Sequence, residues 1–155
     1  MLLKGLLNND DLVKALIYID PDFLSKSIPS DFDRTSLLYD RIWPFRYVPD
    51  IQDEGKSLIS SHWQYRSSGR NDTYMLASVT FYVFVHIDWM RTEHGLRTDF
   101  IIAEIEKSRK QTDLIGAGKF RFGRTDDFIV DTGGKWLGGL VEYQAINLGE
   151  VQWKR

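Results

Sequence analysis

The chain has 155 residues, 43% hydrophobic and 27% charged, with no cysteine and a formal net charge of -2. That length suffices for one domain with its own hydrophobic core, and the missing cysteines exclude disulfide staples, thiolate catalysis and thiolate metal sites together. The slight negative charge argues against a sequence-independent nucleic-acid binder, whose affinity rests on Lys and Arg neutralising phosphates.

The opening MLLKGLL turns at once into NNDD. Its apolar stretch is too short for a signal-peptide core or a membrane span, so the expectation is a cytosolic chain with no membrane partner. Asn9, Asp10 and Asp11 are N-cap candidates, and Leu12, Ala15, Leu16 and Ile19 follow at helical spacing until Pro21. From Asp20 to Pro49 the chain carries all four prolines, which restrict themselves and the residue before them to extended or turn conformations. This segment is expected to run over the surface with one helical turn near Thr35 to Tyr39. Its end, RIWPFRYVPD, holds Ile42, Trp43, Phe45, Tyr47 and Val48 with no period that hides them all, so some of these rings need a groove or a partner.

SLISSHWQYR, residues 57 to 66, alternates in the manner of a strand. After SSGRND the alternation resumes over residues 73 to 87, with Met75, Ala77, Val79, Phe81, Val83, Val85 and Ile87 on an apolar face. Tyr74, Leu76, Ser78, Thr80, Tyr82, Phe84, His86 and Asp88 form a mixed one. The apolar face requires helices against it, whereas the mixed face suits water or a neighbouring subunit. Thr98 as N-cap and Asp99 in the first turn predict a helix to about Gln111, with Leu96, Phe100, Ile101 and Ile105 as its stripe and Glu106 paired with Lys110. KFRFG and DFIVD are two short strand candidates in a Gly- and Asp-rich region, and LVEYQAINL reads as a final strand. The order predicts an α+β sandwich: a mainly antiparallel sheet with helices on one face. The divisions expected are an N-terminal helix and proline-containing extension over 1–40, an α+β core over 41–148 and a tail over 149–155.

His86, Asp88 and His94, with Glu93, are residue types that ligate zinc or iron, and on that reading the chain is a small metal-dependent hydrolase or nuclease. Against it, His86 and Asp88 fit a polar rim at a strand end, and no pair has the helical spacing of HExxH. GAGK at 116–119 and TGGKWLGG at 132–139 do not match a phosphate loop and read as turns. No GxSxG occurs. A third reading is a partner-binding α+β module. The aromatic loop and mixed strand face supply candidate interface residues, Trp43, Phe45, Arg46, Tyr47, Tyr82, Phe84, His86, Trp89 and Arg91, since aromatics with arginine neighbours match interface cores.

RIWPFRYVPDIQDEGKSLIS leading to a hairpin, the long VTFYVFVHID strand, the LRTDFIIAEIEK helix and a glycine-broken finish ending in LVEYQAINL together resemble the tail terminator and neck proteins of tailed bacteriophages. The likeness covers residues 40 to 148 and lies in element order rather than in a signature motif. It implies a structural virion protein assembled in the host cytoplasm: a hexameric ring without catalytic residues or cofactor, which ends tail-tube growth and joins tail to head. Its partners would be its own copies, the tail-tube protein and the head-tail connector. Ring closure would come from a head-to-tail interface between copies. Loops 67–72 and 112–126 are the expected contacts to tube and connector.

Overall fold

The computed structural model describes residues 2–50, 54–67, 75–110, 120–130 and 133–145. Two helices, α1 (Leu2–Leu7) and α2 (Asp10–Ile17), lead through single helical turns at Phe23–Ser25 and Arg34–Leu37 to strand β1 (Ile42–Trp43). There follow β2 (Ser57–Ser67), β3 (Met75–His86), a turn at Ile87–Trp89, the small hairpin β4 (Arg91–Thr92) and β5 (Gly95–Leu96), helix α3 (Arg97–Lys110), β6 (Phe120–Ile129) and β7 (Trp136–Ala145). The main sheet has the order β1-β2-β3-β7-β6. Only β1 and β2 run parallel; every other pairing is antiparallel, and the three helices contact this sheet or each other in an α+β fold.

β3 is the spine because its period-2 pattern is the longest in the chain. Ala77, Val79, Phe81, Val83 and Val85 are buried, as their alternation predicts, and pack with Leu12, Leu16, Ile101 and Ile105 of the helices. Ile87, predicted on the same face, instead sits in the turn after β3 and is half exposed. KFRFG and DFIVD are not two strands but one, β6, with a bulge between Phe122 and Arg124 that lets a single strand carry two short patterns. β7 starts at Trp136, four residues earlier than LVEYQAINL suggested. The two glycines in its middle look like a turn in sequence, yet lie paired between β3 and β6. Trp63 of β2 and Phe120 of β6 meet edge-to-face at 6.1 Å although two strands separate them. Flat strands would hold them about 14 Å apart, so the sheet curls over the helix layer at this end.

The first 40 residues are not an appendage. Leu6, Leu12, Val13, Ala15, Leu16, Phe23 and Leu37 are buried in the same core as the β3 residues. LLKGLL forms α1, which sequence alone does not reveal because six residues with a central glycine cannot sustain an isolated helix. It holds because Leu6 is fully buried and because α1 packs on α3. Asn9 caps α2 as predicted, its Oδ1 accepting from the Leu12 amide (3.1 Å). Its Nδ2 faces the Glu104 carboxylate (2.8 Å) and the Ser108 hydroxyl (2.9 Å), which docks the start of α2 against the middle of α3. Glu104 and Ser108 are consequently buried, and Leu96, assigned to the apolar stripe, lies outside the helix and is exposed. Thr98 is inside α3 rather than at its cap.

Near the C-terminus of α3, Glu106 accepts from Arg109 Nη2 (2.8 Å) and Nε (3.0 Å), with Lys110 Nζ at 3.4 Å as predicted. The Arg109 hydrogen bonds, working against partial burial, hold the carboxyl down at about 2. A lowered carboxyl pKa stabilises the fold above its ordinary value of 4.5, and that contribution is lost as pH falls toward 2. Glu106→Gln is therefore expected to cost about 1 kcal/mol at neutral pH and almost nothing near pH 2. Urea titrations across that range measure it; an equal cost at both ends would remove the ion pair from the account.

Candidate functional site

Cross-strand register fixes which side chains share a face. Opposite the helices, β3 presents Ser78, Thr80, Tyr82, Phe84 and His86; β2 adds Leu58, Ser60, His62 and Gln64, and β7 adds Trp136, Gly138, Leu140, Glu142 and Gln144. This open face has two halves. Around His62, Thr80, Glu142 and Arg124 it is polar, with Arg124 Nε 3.3 Å from Glu142 Oε2. Around Tyr82, Phe84 and Trp136 it is aromatic, and here the predicted loop and the predicted strand face come together.

The loop after β1 folds back over that aromatic half. Tyr47 stacks on Trp43 at 4.0 Å and 8°, Phe45 meets Trp43 edge-on at 5.5 Å, and the Arg46 guanidinium lies 5.9 Å from the Tyr82 ring. From the opposite edge Phe128 of β6 reaches in, 5.6 Å from Phe84 and 6.1 Å from Tyr82. It can do so because β7 has glycine at 138: a Cβ there would come within 2.8 Å of Phe128 Cδ2. Leu58, Phe84 and Trp136 are thereby fully covered and form a second, smaller core.

The candidate residues divide accordingly. Trp43, Tyr47 and Tyr82 are half-buried in this second core, while Phe45 and Arg46 are exposed above it. Phe84 is a correction, since it is 2% exposed and leaves a neighbour nothing to touch. His86 packs edge-on against Trp136 at 5.3 Å at the strand end. Trp89 belongs to the other side of the sheet, buried in the main core beside Arg41 and Arg97. Arg91 is exposed on the β4–β5 hairpin, whose Glu93 amide donates to Pro21 O (3.3 Å), so it stands with the N-terminal segment and not with the aromatic loop. Sequence reading missed Tyr39, Leu58 and Phe128 as members of the cluster. The signal for Phe128 was its alternation in DFIVD; for Tyr39 there was none.

Tyr39 is the one non-glycine residue with positive φ (65°) among the described residues. Its amide donates to Ile42 O (3.0 Å), closing the turn that leads into β1, and its ring touches Trp43 and Phe45, both at 6.2 Å. A left-handed tyrosine costs about 1–2 kcal/mol, yet the residue is 61% exposed. With Phe45 (50%) and Val48 (55%) it makes an apolar surface beside β1. At the opposite edge of the sheet β6 exposes Phe122 (56%) and Ile129 (74%).

The metal reading finds no geometry. His86 Nδ1 is 3.3 Å from Asp88 Oδ2 and also accepts from the Asp88 amide, while His94 sits on the β4–β5 hairpin. Among the described residues no group of three or more His, Asp or Glu side chains is placed to hold a metal ion. No helix among them is long and apolar enough to cross a membrane. GAGK and loop 68–72 lie outside the described residues, and of the predicted loop 112–126 the part from Phe120 onward is strand β6.

A family model described as YomW matches residues 9–133, which takes in α2 and the proline-containing segment as well as the sheet up to β6. No curated protein matches the chain.

Proposed function

The chain belongs to the YomW family, and within it we propose that this protein is a structural virion component of a tailed bacteriophage. It assembles head to tail into a ring at the head-proximal end of the tail, ends tube growth and joins tail to head. The observation that carries the reading is the placement of exposed apolar side chains at two opposite edges of one sheet, Tyr39, Phe45 and Val48 beside β1 and Phe122 and Ile129 on β6. Two different sticky edges on one subunit favour a heterologous contact, which generates either an open filament or a closed ring. The element order that resembles tail terminator and neck proteins, a long central strand, a helix and a glycine-broken β finish, supports the ring.

The test has two parts. Native mass measurement of the purified chain is expected to give a closed oligomer of six copies, and addition to polymerising tail-tube protein is expected to halt elongation with the ring at one tube end. A chain that stays monomeric at assembly concentrations and leaves tube length unchanged would sink the proposal.

A further inference from the structure

We infer that Trp43 to Asp50 act as a strap: hinged at Ile42, they lift from the sheet as a unit and open the second core to solvent while the main core stays folded. The inference concerns the single subunit and stands apart from the virion reading.

The strap is lightly anchored for what it seals. Leu58, Ser60, Phe84 and Trp136 beneath it are at most 2% exposed, yet of Trp43 to Asp50 themselves only Pro49 is buried. Its stretch of ladder, β1, is two residues long, because Pro44 follows with no N–H to donate, and Pro49 repeats the gap. Beyond β1 the strap lies on the sheet through rings. Trp43 stacks on Tyr47, itself part of the strap, and Arg46 sits over Tyr82. Phe45 and Val48 are at least half exposed already, so lifting uncovers little of them.

Closure also carries a polar cost. Trp43 and Ser60 are neighbours in register on the open side of the sheet, and both Trp43 Nε1 and Ser60 Oγ are buried without a hydrogen-bond partner among the described residues. Lifting the strap exposes both to water, so the open form regains hydrogen bonds that the closed form forgoes. The rest of the fold can remain, because the second core is distinct from the main one, which lies on the other side of the sheet and keeps the Ile42 side chain. Separate cores with unequal anchorage open at different free energies.

Thiol labelling tests it, and the absence of native cysteine makes each introduced thiol a single reporter. Ser60→Cys and Leu58→Cys report from under the strap; Val83→Cys, fully buried on the helix side and paired on both edges, reports from the main core. An unchanged circular dichroism spectrum verifies that each folds, and either strap reporter suffices if the other does not. In native buffer the strap reporters are expected to react with an aromatic disulfide reagent on the order of 100-fold faster than Val83→Cys and at rates alike within about threefold. Low urea should hardly change them, whereas the Val83→Cys rate climbs steeply, since only global unfolding exposes a large area. Adding Tyr47→Ala should speed the strap reporters by about tenfold through loss of the ring stack. Strap and core thiols that react at one rate with one urea dependence overturn the inference, as does a strap thiol that reacts as fast as in the unfolded chain. So does a rate that Tyr47→Ala leaves unchanged, because something other than the strap would then cover the thiol.

Discussion

Arg97→Ala is expected to destabilise the protein by about 3–5 kcal/mol, and Arg97→Lys by about 2–3 kcal/mol. Arg97 opens α3 and has no exposed surface. All five of its guanidinium N–H groups are used, and every acceptor is a backbone carbonyl: Trp89 (2.6 Å), Ala15 (2.9 Å), Tyr18 (2.6 Å), Ile19 (2.9 Å) and Asp20 (3.0 Å). The Phe23 and Trp89 rings cover it at 4.5 and 5.5 Å. Burial pushes the guanidinium down to about 10, with Asp20 pulling it back up, so it stays charged at neutral pH. The cation sits where the last turn of α2 leaves its carbonyls without helical partners, and it satisfies them together with the helix dipole.

Alanine would strand those carbonyls in a cavity, and lysine offers three donors without the planar fork. Since domains of this kind are stable by only about 5–15 kcal/mol, the alanine variant should be close to unfolding at 37 °C. Urea midpoints give the sizes, and hydrogen exchange at residues 15–20 should locate the loss. An Arg97→Met variant within about 1 kcal/mol of the wild type would mean that water serves these carbonyls and that the guanidinium is dispensable.

The second large effect is a coupling. Gly138→Ala should cost about 2–3 kcal/mol, because its new Cβ collides with the Phe128 ring and that ring is wedged against Phe84 and Tyr82. Phe128→Ala alone should cost a comparable amount by opening the second core. In the double variant the collision is gone, and Gly138→Ala should become neutral or mildly stabilising, since alanine restricts the unfolded chain more than glycine does. The interaction energy expected from the cycle is about 2 kcal/mol. Additive costs would show that glycine is there for backbone reasons and not for the ring.

These two positions also show where reading along the chain stops. Nothing within a helical period of Arg97 signals that it must cap residues 15 to 20 from nearly eighty positions away. TGGKWLGG looked like a turn because glycine usually marks one; that Gly138 admits a ring from the neighbouring strand is a matter of β6–β7 register, which no local window contains. The aromatic loop and the mixed strand face were both picked out in sequence as surfaces in want of a partner. To a large extent they are each other's partner, and only Tyr39, Phe45, Arg46 and Val48 remain outside.

What the sequence determined by itself was what depends on neighbours a few residues apart: the long alternation of β3 and its buried face, the Asn9 cap, the helix after Gly95, and from their order an α+β sheet backed by helices. These follow from the periods of strand and helix and from local hydrogen bonding, which one stretch of chain carries alone. The tertiary structure decided what depends on distant contacts: that α1 exists at all, that the first 40 residues complete the core, that β6 is one bulged strand, and which aromatics stay exposed at the two sheet edges. Those outcomes turn on register and on burial by residues far away in the chain, and the physics that sets them acts only once the chain has folded.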